Sequence, residues 1–268
     1  MNHAKSAAFF DLDKTIIAKS STLAFSKPFF DGGLLSRRAV LRSAYAQFVF
    51  AVSGADHDQL EKMRAYLTEM VKGWDVEVVR QSVAETLHTI IDPLVYDEAV
   101  HLIEQHREEG RDIIIVSASG AEVAEPIGAM LGADHVIATK LSEEGGRYTG
   151  EIEFYAYGGN KAKAMVALAK ERGYDLLDSY AYSDSETDAP MLSVVGHPFA
   201  VNPDKSLRKI ATDNHWPILT FARPVALRPR IGLDTRAGKI AAASAIIGAV
   251  GAIAFTMVFR KKGRAIRA

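Results

Sequence analysis

The chain has 268 residues, of which 48% are hydrophobic and 24% are charged, a composition that excludes a largely disordered or fibrous protein. Cysteine is absent, which excludes disulfide frameworks, thiolate zinc sites, iron–sulfur clusters and thiol catalysis. Ten of the 32 basic residues and one of the 33 acidic residues lie from position 223 onward, so the first 222 residues carry 22 basic against 32 acidic residues, and no nucleic-acid partner is indicated.

The first predicted elements are one buried strand and a series of amphipathic helices. The apolar run at 7–10 predicts the first strand, and the next comparable strand follows at 112–116. Between them, helical periodicity is found at 34–52, 60–71, 76–90 and 95–109. Asp75 lies where it would cap the third of these helices, and Gly110 lies where it would end the fourth.

From residue 112 onward, strands and helices alternate. Strands are predicted at 113–116, 135–138, 179–182 and 198–201, and helices from 122, from 161 and near 189. Residues 141–154, with Glu-Glu-Gly-Gly-Arg at their centre, predict a β-hairpin. This order predicts an α/β fold with a Rossmann-like, doubly wound parallel sheet. We expect this core to comprise residues 1–17 and 110–222, interrupted by an α-helical cap at 18–109.

An uncharged run at 240–259 lies between a basic linker at 223–239 and a basic tail at 260–268. Twenty helical residues span about 30 Å, the thickness of the bilayer's hydrocarbon core, so the run predicts a C-terminal transmembrane helix in contact with membrane lipid. A buried alanine-rich helix and an interfacial helix on anionic lipid are the alternatives. The first motif begins at residue 9, which leaves no room for a signal peptide ahead of it. We therefore expect a single-pass membrane protein whose preceding domain is cytoplasmic.

Polar residues occur where the predicted strands end. Asp11 and Asp13 follow the first strand and, two residues apart in extended chain, point the same way. Two such carboxylates repel each other unless a cation lies between them or one is protonated; a polar turn with an aspartate cap is the alternative. Later elements end or begin on Ser117, Lys161, Asp184 and Asp188. Because the reactive crevice of an open α/β sheet lies at the carboxyl ends of its strands, we expect these residues to lie together.

The chain resembles the haloacid dehalogenase (HAD) superfamily in the order of its motifs. These are Asp-x-Asp-x-Thr, a strand-terminal Ser, a Lys and Asp-x-x-x-Asp. The resemblance is to its phosphoserine-phosphatase-like branch, subfamily IB, which has a helical cap after the first motif, and it covers residues 5–215. It implies a phosphoric monoester hydrolase that acts on a small phosphorylated substrate through an aspartyl-phosphate, with Mg²⁺.

The resemblance also implies a role for each motif residue. Asp11 would be the nucleophile that attacks phosphorus, and Asp13 would protonate the leaving oxygen and later activate water. Ser117 would bind the transferring phosphoryl group. Lys161 would neutralise its charge, with a solvated helix lysine as the alternative. The implied magnesium ligands are Asp11, the backbone carbonyl of Asp13 and Asp184, with Asp188 beside them. Hard oxygen ligands without thiols suit Mg²⁺.

The candidate substrate-binding residues are Thr15, Ser20, Arg64 and Ala118. Ser20 stands where phosphoserine phosphatases usually carry the Glu that binds the substrate ammonium, and Ala118 replaces the usual Gly after the motif serine. Arg64 aligns with a cap arginine that meets the substrate carboxylate, although a charged helix face explains it equally well. These departures favour a membrane-tethered phosphatase for another small phosphomonoester. A specific phosphoserine phosphatase and a non-catalytic membrane regulator on a HAD fold are the alternatives.

Overall fold

The computed structural model describes residues 5–31, 33–34 and 68–222. The strands of its sheet are β1 (Ala7–Phe10), β2 (Asp112–Gly120), β3 (His135–Glu144), β4 (Arg147–Phe154), β5 (Tyr180–Ser183), β6 (His197–Val201) and β7 (Ile218–Leu219). Their order across the sheet is β4-β3-β2-β1-β5-β6-β7, and the neighbouring strands are parallel except β3 and β4. The predicted Rossmann-like parallel sheet is confirmed.

The central strands form from continuous apolar runs. Every residue of β1 is buried, and Phe10 pairs with Ile115 of β2 on one side and with Tyr182 of β5 on the other. Strands that are covered on both faces have such runs in place of an alternating pattern. Because β1 lies between β2 and β5, the chain segments that follow these three strands meet at one edge of the sheet.

The α-helices that lie wholly within the described residues are α1 (Ser21–Ala24), α2 (Ser26–Asp31), α3 (Val76–Ile91), α4 (Asp97–Glu108), α5 (Ala121–Leu131), α6 (Gly159–Arg172), α7 (Ala189–Ser193) and α8 (Lys205–Asp213). The helix predicted at 76–90 is α3. The Asp75 side chain caps it by accepting hydrogen bonds from the backbone N–H groups of Glu77 and Val78. One face of the helix is apolar and buried, and it comprises Val76, Val79, Val83, Leu87 and Ile91.

The first and last segments of the long insert between β1 and β2 lie next to each other. The backbone N–H of Ala18 donates to the carbonyl of Leu94 at 2.8 Å, and the N–H of Tyr96 donates to the carbonyl of Ile16 at 2.9 Å. These two bonds join the segment that leaves β1 to the segment that returns toward β2. The insert is therefore a loop that backbone hydrogen bonds close at its base.

The predicted domain boundaries can be compared with the structure only in part. The helices predicted at 34–52 and 60–71 lie outside the described residues, apart from residue 34 and residues 68–71. The cap range 18–109 and the core range therefore stay predictions. Helix α4 lies within the predicted cap range but packs against β2 of the sheet.

Strands β3 and β4 form the predicted hairpin. The strand predicted at 135–138 is longer in the structure, because β3 pairs with β2 in its first half and continues without a break as the first arm of the hairpin. The hairpin also bonds to the chain ahead of α3. The N–H of Gly73 donates to the carbonyl of Tyr148 at 2.8 Å, and the N–H of Tyr148 donates to the carbonyl of Trp74 at 3.1 Å.

Helix α4 contacts the sheet through a buried histidine. His106 is 4% exposed; its Nε2 lies 2.8 Å from the hydroxyl of Tyr182, and Arg111 donates to its Nδ1 at 3.1 Å. A guanidinium cannot accept a hydrogen bond, so Nδ1 is the unprotonated nitrogen and Nε2 donates to the tyrosine. Burial and the charge of Arg111 lower the pKa of His106 to about 4. The guanidinium also lies over the ring of Tyr180, and we call these four residues the histidine cluster.

The predicted linker at 223–239, transmembrane helix at 240–259 and tail at 260–268 lie outside the described residues. Within residues 5–31, 33–34 and 68–222, no helix is both long enough and apolar enough to cross a bilayer. The membrane segment therefore stays a prediction.

Candidate active site

The motif residues lie at the edge of the sheet where β1, β2 and β5 end. Asp11 directly follows β1, and its backbone N–H donates to the carbonyl of Tyr182 at 2.9 Å. Asp184 directly follows β5. Ser117 lies on β2, which continues past its predicted end to Gly120 with an irregular register after the serine. The parallel order of these three strands therefore brings the predicted residues to one place.

A buried lysine joins two of the carboxylates. Lys161 lies in the first turn of α6 and is 2% exposed. Its Nζ donates to Oδ1 of Asp11 at 2.7 Å and to Oδ2 of Asp188 at 2.7 Å. The hydroxyl of Ser183 donates to the same Asp188 oxygen at 2.7 Å. Burial by itself would lower the pKa of Lys161, but the two carboxylates hold it above its ordinary value, so the ammonium stays charged.

The carboxylates outnumber the cations that contact them. We call Asp11, Lys161, Asp184 and Asp188 the carboxylate cluster. Burial raises the pKa of Asp11 well above its ordinary value; Lys161 offsets part of this, and the charges of Asp188 and Asp184 add to it. Burial also raises the pKa of Asp184 to about 7, where the exposed Lys14 lowers it and Asp188 raises it. One buried ammonium therefore leaves negative charge in the cluster uncompensated.

Both carboxylate oxygens of Asp13 are held by hydrogen bonds. The backbone N–H of Ser21, the first residue of α1, donates to Oδ1 at 2.7 Å. The hydroxyl of Ser119 on β2 donates to Oδ2 at 3.0 Å. Burial raises the pKa of Asp13, and these bonds offset part of the rise. A carboxyl group with a raised pKa and a fixed orientation suits general acid–base chemistry.

The residues that the sequence assigns to a metal fit Mg²⁺ in their chemistry. Asp11 and Asp184 supply buried carboxylate oxygens beside uncompensated negative charge, and Mg²⁺ prefers such hard oxygen ligands. No three carboxylate or imidazole side chains in the described part of the chain converge as a complete metal site. The predicted set takes its third ligand from the backbone carbonyl of Asp13 and needs no third side chain.

The predicted substrate-binding residues lie in different surroundings. Thr15 is 1% exposed, and its hydroxyl has no hydrogen-bond partner among the described residues. Ser20 precedes α1 at the N-cap position without a side-chain capping bond. The Ala118 side chain is exposed, and its carbonyl accepts a hydrogen bond from Thr139 at 2.8 Å. Arg64 lies outside the described residues.

Two serines of the site do not follow from the motif pattern. Ser119 contacts Asp13, and Ser183 contacts Asp188. The signal for Ser119 is its position two residues after Ser117, which puts both serines on one face of an extended strand. The structure adds that the Ser119 N–H donates to the Ser117 hydroxyl at 3.1 Å. Ser183 is the last residue of β5, directly ahead of Asp184.

The fold and this arrangement define a class of protein. Residues 8–193 match the family described as haloacid dehalogenase-like hydrolase, and the chain belongs to this family. A solved structure of a protein of unknown function from Bordetella pertussis has 26% sequence identity and a TM-score of 0.71, over 81% of this chain and 98% of that one. A phosphoserine phosphatase solved as a phospho-aspartyl intermediate analogue has 19% identity and a TM-score of 0.58, over 82% and 95% of the two chains, and supports the fold.

Curated relatives match nearly the whole chain. The "Inhibition of morphological differentiation protein" of Streptomyces azureus is 58% identical over 98% of this chain and 97% of its own length. A probable phosphatase of Mycobacterium tuberculosis is 56% identical over 97% of this chain and 90% of its own. A protein of the same organism that is named a phosphoserine phosphatase is 30% identical over 96% and 82% of the two chains.

Proposed function

We propose that the protein is a Mg²⁺-dependent phosphatase that hydrolyses a small phosphomonoester through phosphorylated Asp11. The observation that carries the proposal is the buried ammonium of Lys161, 2.7 Å from the Asp11 carboxylate. A carboxylate is a poor nucleophile toward a phosphate dianion, because the two repel, and an adjacent cation offsets this repulsion. The relative that is named a probable phosphatase supports the same activity.

The reaction has two steps that use the same pair of aspartates. In the first step a carboxylate oxygen of Asp11 bonds to phosphorus, the bond to the leaving oxygen breaks, and the carboxyl group of Asp13 gives that oxygen its proton. In the second step the carboxylate of Asp13 takes a proton from water, the water oxygen bonds to phosphorus, and the bond to Asp11 breaks. Lys161 stays charged and balances the phosphoryl group in both steps.

The groups that would hold Mg²⁺ are the carboxylates of Asp11 and Asp184 and the backbone carbonyl of Asp13. When bound, the ion supplies positive charge that neutralises the phosphoryl oxygens. The uncompensated negative charge of the carboxylate cluster supports a cation there. Asp188 contacts Lys161 and Ser183, so it helps to keep the ammonium of Lys161 charged and in place.

We expect the substrate to be a phosphomonoester that needs no ammonium group for binding. Ser20 offers no counter-charge at the position from which related enzymes bind the ammonium of phosphoserine, and an unpaired ammonium in a closed pocket costs several kcal/mol. The relative named a phosphoserine phosphatase supports the alternative of a specific phosphoserine phosphatase. A screen of amino-acid, sugar, lipid and nucleotide monoesters with Mg²⁺ separates the two. We expect phosphoserine to be an ordinary substrate; a hundredfold preference for it in kcat/KM would establish the alternative.

A non-catalytic regulator is the candidate of another class, and the name of the Streptomyces azureus relative supports it. The presence of Asp11, Asp13, Lys161 and Asp184 together favours catalysis, since each has a separate role in the reaction. If the purified chain hydrolyses no monoester of the screen at any Mg²⁺ concentration, the regulator becomes the better proposal.

We also propose that residues 240–259 anchor the phosphatase in the membrane, with the active site in the cytoplasm. The run is uncharged, and basic residues lie on both sides of it, each of which contributes about 1 kcal/mol near anionic lipid. High-salt and carbonate washes of isolated membranes test this: a spanning helix stays, whereas release of the full chain overturns it. A chain that ends at Thr235 should be active and no longer bound to membranes.

A further inference from the structure

We propose that Ser119 is a positioning residue for Asp13, which it holds in the orientation that proton transfer needs. The inference rests on the proposed function, because it requires Asp13 to act as acid and base. Ser119 is 7% exposed and lies on β2, whereas the other donor to Asp13, the backbone N–H of Ser21, belongs to α1. Two donors on two different elements fix both oxygens of one carboxylate.

The direction of these hydrogen bonds follows from their chemistry. When Asp13 is ionised its carboxylate only accepts, so the hydroxyl of Ser119 then donates to Oδ2 of Asp13. The oxygen of Ser119 is then available as an acceptor, and the hydroxyl of Ser21 lies 2.8 Å from it. Hydrogen bonds therefore run from Ser21 through Ser119 to Asp13. They connect the first helix of the insert to the acid–base group by way of the sheet.

A positioning role predicts that two kinds of substrate respond differently. An alkyl phosphate needs a proton from Asp13 as its leaving oxygen departs, whereas the nitrophenolate of 4-nitrophenyl phosphate leaves without one. Both substrates form the same phosphorylated Asp11, and its hydrolysis needs Asp13 as a base. A misaligned Asp13 should therefore slow the first step for alkyl phosphates and the second step for both kinds of substrate.

The experiment compares the full wild-type chain with Ser119→Ala, in the presence of Mg²⁺. For an alkyl phosphomonoester we expect kcat/KM to fall about tenfold, a part of the 10²- to 10⁴-fold that a general acid or base contributes. For 4-nitrophenyl phosphate we expect kcat/KM to stay within about threefold while kcat and KM fall together. Rapid mixing should show a burst of one nitrophenolate per active site, which reports accumulated phosphoenzyme.

A matched control is Ser179→Ala, which removes a buried hydroxyl that bonds the backbone of Ala7 and Asp175, away from Asp13. It should change both substrates by the same factor and produce no burst. Ser119→Cys is nearly isosteric and puts a weak donor at the same position, so it should reproduce the selective loss even where the alanine variant folds poorly.

The outcomes distinguish the positioning role of Ser119 from the proposed phosphatase activity. Equal losses for both substrates in the Ser119 variants, or no burst, would overturn the positioning role while the phosphatase proposal stands. A wild-type chain that turns over neither substrate would overturn the proposed function, and the role of Ser119 with it.

Discussion

The carboxylate cluster is buried and the histidine cluster is buried or half-buried; both lie next to β1 and β5, but their charges are arranged differently. In the histidine cluster, His106 stays neutral between Arg111 and Tyr182, so each ring nitrogen has a partner that suits it. In the carboxylate cluster, Lys161 meets two carboxylates while Asp184 adds a third. Burial alone therefore does not distinguish the reactive site from the histidine cluster. The distinguishing feature is the uncompensated negative charge, which a cation can offset.

The largest expected effect is that of Asp11→Asn. Loss of the nucleophile should reduce turnover of an aryl phosphate by roughly 10⁴-fold or more, as for other residues that act as a catalytic unit. The same substitution removes one of the crowded negative charges, so the melting temperature should stay equal or rise. Turnover and thermal unfolding are measured on the same sample. Activity above a hundredth of wild type would contradict the covalent route.

Lys161→Met should affect both activity and stability. We expect kcat to fall about 10²- to 10³-fold, because a fixed charge beside the phosphoryl group is lost. The free energy of unfolding should fall by roughly 3 kcal/mol, because Asp11 and Asp188 stay buried without their partner. Lys163→Met, an exposed lysine on the same helix, is the control and should change neither. Equal behaviour of the two variants would show that the ammonium does not balance the cluster.

Asp184→Asn should weaken the response to Mg²⁺. Removal of the ion with EDTA should abolish turnover of the wild-type chain, and Mg²⁺ should restore it. In the variant, the Mg²⁺ concentration for half-maximal activity should rise about 10- to 100-fold. Thermal unfolding with Mg²⁺ and no substrate gives a second readout. Glu186→Gln, on the exposed side chain two residues away, should leave both unchanged; an unaltered response in Asp184→Asn would remove this residue from the metal site.

The histidine cluster should be sensitive to acid. The pKa of His106 is about 4 in the folded chain against 6.5 for an ordinary histidine. The unfolded chain therefore binds the proton more readily, and the contribution to stability is present above pH 6.5 and lost as the pH falls toward 4. We expect a loss of about 2 kcal/mol between pH 7 and pH 5, measured by denaturant unfolding. His106→Phe should remove this part of the slope, whereas replacement of the exposed His88 should not.

The sequence predicts the strands and helices best where one local signal is strong. The apolar runs predict β1 and the start of β2, and Asp75 predicts the beginning of α3. The full length of β3 is not predicted as one strand, because its first half pairs with β2 and its second half pairs with β4. Pairing partners that are distant in sequence decide where such a strand ends.

In the candidate site, too, local signals predict residue positions, whereas contacts between distant elements are not predicted. Strand ends predict that Asp11 and Asp184 lie near each other, since parallel neighbours bring their carboxyl ends together. The sequence places Asp188 beside the metal, which stays a prediction, and it does not predict the contacts of Asp188 with Lys161 and Ser183. That pairing depends on how α6 packs against residues 186–188, after β5, which no short motif reports.

Because two backbone hydrogen bonds close the base of the insert, substrate specificity can change in evolution without moving the residues that the sheet positions. Ala18 pairs with Leu94 and Ile16 pairs with Tyr96, and these two pairs close the insert whatever the number of residues between them. Each doubling of a loop's length costs only about 0.6 kcal/mol in closure entropy. The length of the insert between these two pairs can therefore change at small cost while β1 and β2 keep their register. Specificity can diverge through the part of the insert beyond α1, while Asp11, Ser117 and Asp184 stay where the sheet holds them.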